Sequence, residues 1–202
     1  MMGNLFIIAA PSGAGKTSLV DALLKQDPQL ILSISTTTRK QRANEQEGAH
    51  YHFVDETAFN QLIAENAFLE HAYVYGNYYG TSKQWVIEQL KNGKDVVLEI
   101  DWQGAEQIKK LHPNAILIFI FPPSRAELEE RLKKRGQDTP DVITKRLAAA
   151  DEDLAHAINF EYWIINKDFS PALADLQAII HAQRLRQQQQ RAKHHALLTN
   201  LS

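Results

Sequence analysis

The sequence predicts an α/β fold, a parallel sheet flanked by helices with two inserted lobes, and three observations carry it. The apolar runs over 5–9, 95–101, 115–121 and 162–165 are continuous rather than alternating, as strands buried on both faces are. Helical spacing separates them over 16–26, 82–91 and 104–111, so strands and helices take turns along the chain. Two stretches, 33–81 and 124–157, break this rhythm and read as insertions over the carboxyl ends of the strands, where such sheets bind ligands. A chain of 202 residues suffices for one domain of this kind.

Each element has a local cause. Leu19, Val20, Leu23 and Leu24 recur at helical spacing, and the residue before Pro28 is biased away from helix, which ends the first helix near 26. Within 33–81, strand-like pieces at 33–35, 51–54 and 68–75 and a short helix at 56–65, started by Asp55, predict a small α+β lobe. The helix at 82–91 stops near Gly93 and that at 104–111 stops before Pro113. Ser124 and Glu127 form a capping-box pattern, Gly136 ends the helix they open, and Pro140 starts another. Charge dominates the first of these two helices, so 124–157 reads as a lid arched over solvent. A last helix is expected over 172–198, apolar at Leu173, Leu176, Ile179 and Ile180 and solvated beyond Gln187.

Composition excludes several classes. Lys and Arg total 22 against 24 Asp and Glu, and the net charge of −2 gives no general attraction to nucleic acid or membranes. The absence of cysteine removes disulfide and thiol chemistry and fits a reducing compartment. The first four residues lack a basic leader and the apolar run after them is too short to cross a bilayer, so a soluble cytoplasmic protein is expected.

Chemistry is concentrated in a few motifs. Ala10-Pro11-Ser12-Gly13-Ala14-Gly15-Lys16-Thr17 lies between the first strand and the first helix, the context of a phosphate-binding P-loop. Small residues let backbone N–H groups turn toward a β-phosphate, the helix adds its positive end, Lys16 reaches the β- and γ-phosphates, and Thr17 offers a hydroxyl to Mg²⁺. The pattern wants Gly where this chain has Ala10, which a residue with negative φ tolerates. A nucleoside triphosphate is therefore expected. Arg39, Arg42 and Tyr51 share one region, and two guanidinium forks with a phenol suit a phosphate monoester, though an Arg-rich loop alone is also a common solvated face. Glu70 can accept from guanine N1–H and N2–H₂ side by side, an edge adenine lacks, and the hydroxyls of Ser35 and Thr81 can donate to O6. Glu99 and Asp101 close the strand 95–101 and, two apart, point to one face, where they can hold Mg²⁺ through water or bond a substrate edge, though either one taken singly is as well read as a charge that merely ends a strand. Arg131 and Arg135, four apart on a helix, and Arg146 on the next can neutralise a transferring γ-phosphoryl group, with a salt-bridged surface as the competing account. His50 and His52 lack a third ligand, and a surface position suits them better than a metal site.

Together these motifs resemble the guanylate kinases, in order along nearly the whole chain: the P-loop, Ser-x-Thr-Thr-Arg-x-x-Arg, Gly-Asn-Tyr-Tyr-Gly-Thr, Glu-Ile-Asp-x-Gln-Gly and the lid arginines. The resemblance implies a nucleotide-binding core at 1–32, 84–123 and 158–202, a GMP-binding lobe at 33–83 and a mobile lid at 124–157. It implies the reaction ATP + GMP ⇌ ADP + GDP with Mg²⁺. It assigns Arg39, Arg42, Tyr51 and Tyr79 to the GMP phosphate, and Ser35, Glu70, Thr81 and Asp101 to the guanine. Lys16, Arg131, Arg135 and Arg146 would serve the phosphoryl groups, and Asn166 would lie near the adenine. Ala10 and Glu99 depart from the family pattern, the latter standing where some relatives have Asp. The alternatives are a P-loop kinase for another acceptor, against which Glu70, Ser35 and Thr81 argue, and a catalytically inert guanylate-kinase-like binding module, against which Lys16, Thr17 and the lid arginines argue. The C-terminal helix could pair with a second copy.

Overall fold

The structure, a computed structural model, describes residues 2–134 and 139–200. The chain opens with β1 (Leu5–Ala9), the P-loop turn and α1 (Lys16–Gln26), then β2 (Leu30–Leu32). Short strands β3 (Thr36–Thr37) and β4 (His52–Phe53), α2 (Glu56–Ala64), and the hairpin β5 (Phe68–Val74) and β6 (Asn77–Ser82) follow. The chain returns through α3 (Lys83–Lys91), β7 (Asp95–Glu99), α4 (Trp102–Leu111) and β8 (Ile116–Phe121). Then come α5 (Arg125–Lys134), α6 (Pro140–His156), a 3₁₀ turn at Ala157–Asn159, β9 (Tyr162–Ile165), α7 (Phe169–Arg184), α8 (Gln187–Lys193) and α9 (His195–Asn200).

The first sheet is parallel throughout, in the order β2-β7-β1-β8-β9. Its continuous apolar runs are explained by the two-residue period of a strand. Leu5, Ile7, Val96, Leu98, Leu117 and Phe119 face α3 and α4, packing on Val86, Leu90, Ala105 and Ile108. Phe6, Ile8, Val97, Ile116, Ile118 and Ile120 face the other way, onto Leu19, Val20 and Leu23 of α1 and Leu173, Leu176 and Ile180 of α7. The second sheet, β4-β3-β6-β5, forms the 33–81 insertion. Leu128, Leu132, Ile143, Leu147 and Ala150 make a separate small core between α5 and α6.

Several elements differ from the sequence reading. The strand at 30–32 has no counterpart there; it is three residues long and adds to β7 at the edge of the sheet. The strand expected at 33–35 falls in extended chain beyond it, and pairing in the lobe resumes at Thr36. Strand 95–101 stops at Glu99, because Asp101 is the N-cap of α4, its carboxylate accepting from the N–H of Gly104 at 3.0 Å. Glu99 and Asp101 therefore do not share one strand face. The Gly-Asn-Tyr-Tyr-Gly-Thr segment is β6, reached through Tyr75 and Gly76, both at positive φ (49° and 81°), as a tight two-residue hairpin requires. The helix expected over 172–198 begins at Phe169, stops at Arg184, and resumes after Arg186, whose ψ of 140° is not helical. The helix end expected at Gly136 lies outside the described residues.

Candidate active site

The P-loop emerges from the carboxyl end of β1 and its shape depends on two glycines. Gly13 and Gly15 have φ of 97° and 93°, which strains any residue with a Cβ. A Cβ on Gly13 would stand 3.1 Å from Leu128 and Leu132, and one on Gly15 would stand 2.3 Å from the Asn166 amide nitrogen. That amide, buried after β9, donates to the Ala14 carbonyl at 2.7 Å and holds the turn from behind. The Lys16 ammonium points to the Ile100 carbonyl at 3.5 Å, and the Thr17 hydroxyl donates to Glu99 Oε2 at 3.1 Å. The other Glu99 oxygen is buried with no hydrogen-bond partner.

A cavity of about 620 Å³ opens beside this loop. Its walls bring Ala10, Pro11, Ser12, Gly13, Gly15, Lys16, Thr17, Glu99, Asp101, Arg131 and Arg146 into one space with Ser35, Arg39, Arg42, Tyr51, Glu70 and Tyr79 of the lobe. Ala14, Thr81 and Asn166 stand behind that wall instead of lining it, each buried against a group that does or against the loop itself. Arg135 lies outside the described residues.

Glu70 sits on β5, only 4% exposed, and its Oε1 accepts from the buried Thr81 hydroxyl at 2.5 Å. Gly104 supplies its space, since a Cβ there would lie 2.5 Å from Glu70 Oε2. Burial pushes the Glu70 carboxyl up to about 7; the Thr81 hydrogen bond opposes that rise and the Asp101 charge adds to it. Burial also raises Asp101, against the Gly104 N–H, the Gln103 amide and the Lys16 charge.

In the same cavity, Arg39 makes a bidentate pair with Glu45, at 2.6 and 3.0 Å, and its guanidinium lies 5.2 Å from the Tyr51 ring centre. Glu45 also accepts from the Arg42 backbone N–H at 2.8 Å, and the Arg39 fork holds its carboxyl below the usual carboxylate range. Tyr51 is raised by burial. Glu45, His50, Ala72, Val74, Tyr75, Ile100 and Asp153 line the cavity too, and the sequence motifs had singled out only His50 among them, for another purpose. Glu45 had a readable signal: an acid three residues after Arg42 in a loop otherwise rich in cations.

Helices α5 and α6 rest on the P-loop side of the cavity. Arg146 donates to the Ser12 hydroxyl at 2.7 Å, and Arg131 donates to the Asn166 carbonyl and to Glu127, both at 3.2 Å. His52 pairs with Glu47 at 3.0 Å, and His50 accepts from the Gln46 N–H at 3.0 Å. Among the described residues, no group of three or more His, Asp or Glu side chains is placed to hold a metal ion by itself.

The Guanylate kinase family profile matches residues 2–183, nine-tenths of this chain. The chain belongs to the guanylate kinase family. The guanylate kinase of Dechloromonas aromatica is 54% identical over 201 residues, covering 100% of both chains. That of Vibrio parahaemolyticus is 50% identical, covering 98% of this chain and 97% of its own. The crystal structure of guanylate kinase from Anaplasma phagocytophilum superposes with a TM-score of 0.76 at 29% identity, covering 92% of this chain and 88% of that one. As a guanylate kinase the chain is a phosphotransferase acting on a nucleoside monophosphate. Among the described residues, no helix is long and apolar enough to cross a membrane.

The oxygen donors suit the metal that such transfer generally uses. The Thr17 hydroxyl, the unpartnered Glu99 Oε1 and the adjoining phosphate loop make a hard-ligand corner too sparse to cage an ion alone but adequate for one that also binds phosphate.

Proposed function

We propose that ATP + GMP ⇌ ADP + GDP takes place in this cavity, with the donor on the P-loop side and the acceptor on the lobe side. The observation that supports it is the shared wall: a phosphate-cradling loop and a buried carboxylate matched to guanine face one 620 Å³ space. The working division of the chain is a core at 1–32, 84–123 and 158–202, an acceptor lobe at 33–83 and a lid at 124–157.

Glu70, ionised, accepts from guanine N1–H and N2–H₂, whereas adenine presents an acceptor at N1 and is repelled. Thr81, whose hydroxyl is spent on Glu70, steadies that carboxylate, and Ser35 and Asp101 complete the base pocket. Arg39, Arg42, Tyr51 and Tyr79 take the acceptor phosphate. Before it arrives, Glu45 holds the Arg39 fork in a geometry that also suits two phosphate oxygens. The attacking phosphate is already ionised near neutral pH, its second pKa being near 6, so no general base is required.

What the protein supplies is approach and charge neutralisation. Lys16, Arg131 and Arg146 face the transferring group from the cavity wall, the sequence motif adds Arg135 to that role, and the lid keeps water from competing for it. Thr17 and Glu99 are the residues to hold Mg²⁺, directly or through water, where it would offset charge on the donor phosphates. Asn166 fixes the loop from behind and would lie near the adenine.

A coupled assay with ATP, Mg²⁺ and each nucleoside monophosphate in turn tests this reading: GMP should give ADP at a rate the other monophosphates do not approach. Lys16→Met should lower kcat by about a hundred-fold or more with little change in GMP affinity by calorimetry. Equal turnover of AMP and GMP, or equal losses in rate and GMP binding, would contradict it.

A further inference from the structure

One carboxylate in the cavity has no task in the mechanism above. Asp153 lies on α6 seven residues after Arg146, two turns along and on the same helix face, and both line the cavity. Its neighbours Asp151 and Glu152 are exposed, and Asp151 pairs outward with Arg125 at 2.9 Å. The Asp153 side chain is half-buried, and its carboxylate makes no hydrogen bond or ion pair with any described residue.

Its surroundings select its ligand. Apart from its chain neighbour Glu152, the charges that reach it are those of Asp101, on the base side of the acceptor site, and Lys16, on the phosphate side. In a nucleotide the sugar is what lies between base and phosphate. A carboxylate there cannot face a phosphate without repulsion, and the guanine donors are met by Glu70. The donors left over are the ribose hydroxyls. We propose that Asp153 accepts a hydrogen bond from a ribose hydroxyl of the acceptor nucleotide under the closed lid, and so favours ribonucleotide over deoxyribonucleotide acceptors. The inference rests on the division of the cavity between donor and acceptor given above. Burial and the Asp101 charge push Asp153 up to about 7, with Lys16 opposing, the state of an acceptor that has lost water and not yet met a donor.

The test is steady-state kinetics at about pH 8, where the group is ionised, on the full chain and its Asp153→Asn and Asp153→Ala variants. Acceptors are GMP, 2′-deoxy-GMP and 3′-deoxy-GMP with ATP, and GMP with 2′-deoxy-ATP. Asp153→Ala should lower kcat/KM for GMP about ten-fold, through KM, and by less than about two-fold for the analogue lacking the hydroxyl in question. Asp153→Asn, which keeps shape and one acceptor oxygen, should show the same selectivity with a smaller loss. Equal losses on GMP and both deoxy analogues mean a structural role and overturn the proposal. So does an unchanged kcat/KM for GMP in both variants, or a loss that disappears with 2′-deoxy-ATP, which moves the contact to the donor. Failure of the unaltered chain to phosphorylate GMP would instead remove the cavity assignment, separately from this contact.

Discussion

The guanine contact proposed for Glu70 joins specificity to acidity, because only its ionised form would accept from guanine while burial favours its neutral form, at about 7. Affinity for GMP should therefore fall about ten-fold per unit as pH drops below 7 and level off above it, as read by titration calorimetry. Glu70→Gln should remove that step, keep the one near 6 that belongs to the nucleotide's own phosphate, and narrow the preference for GMP over AMP in kcat/KM. A wild-type profile with no step near 7 would contradict the assignment. The same shift has a stability consequence. The folded pKa lies above the ordinary 4.5, so the contribution is complete below 4.5 and is lost as pH rises through 7. Without nucleotide, Glu70→Gln should accordingly be the more stable protein at pH 8, by an amount on the order of 2–3 kcal/mol in denaturant titration. The P-loop and Glu70 could be found in the sequence because contiguous residues or one distinctive chemistry define them. Asp153 could not: it is one of three consecutive acids, and only the helix face tells the inward one from those in solvent. Thr81 was found as a candidate, but its hydroxyl turns to Glu70 and not to the cavity, a choice that pairing across β5 and β6 makes.

Among the elements, the parallel strands were legible because burial on both faces leaves no polar alternation to confuse with a surface strand. Two short elements were not. β2 and β3 have three and two residues, too few for a period to register, and they exist because the longer β7 and β6 offer them an edge, whereas the equally short β4 falls inside the strand expected at 51–54. The break between α7 and α8 was hidden for a related reason: Gln187 to Gln190 contains no helix breaker. Tertiary hydrogen bonds turn the chain there, with Gln190 donating to the Arg184 carbonyl at 2.9 Å and Gln189 to Asn4 at 3.0 Å. Arg184 anchors that corner. It bridges Asp27 after α1 and Asp95 at the start of β7, each at 2.6 Å, and Asn4 contributes two more donors to Asp95. Arg184→Ala leaves Asp95, 5% exposed, with Asn4 alone, a loss of about 2–3 kcal/mol and a fall in Tm of about 5–10 °C by calorimetry. The corner lies at the amino ends of the strands and the cavity at their carboxyl ends, so kcat and KM at 25 °C should not move. A kinetic defect without a change in Tm would show that the corner belongs to the site.

Over the whole molecule, a net charge of −2 coexists with a site built for two polyanions, so the cations that matter must be delivered locally and at the right moment. The lid is suited to this. Its small apolar core is separate from the cores on either face of the sheet, so α5 and α6 can travel together without opening the main fold. They are tethered where α6 ends: the His156 ring stacks on Trp102, 3.4 Å between centres and 8° from parallel, and Glu106 joins His156 Nδ1 at 3.2 Å and accepts from the Asn159 amide at 3.1 Å. Trp102 is the residue after Asp101, which places the root of the lid beside the base pocket while Arg146, more than two turns back along α6, meets the P-loop at Ser12. On the lid assignment proposed above, a substitution at this root would change the closed fraction without altering the substrate-facing side chains themselves. Closure serves both nucleotides and the transfer step at once. His156→Ala should therefore lower kcat and raise KM for ATP and GMP together, each by about three- to ten-fold, unlike Lys16→Met, whose effect falls on kcat. Trp102→Phe, which retains a ring for His156 to stack on, should sit between the two proteins. A defect restricted to KM for GMP would show that the stack shapes the base pocket and does not govern the lid.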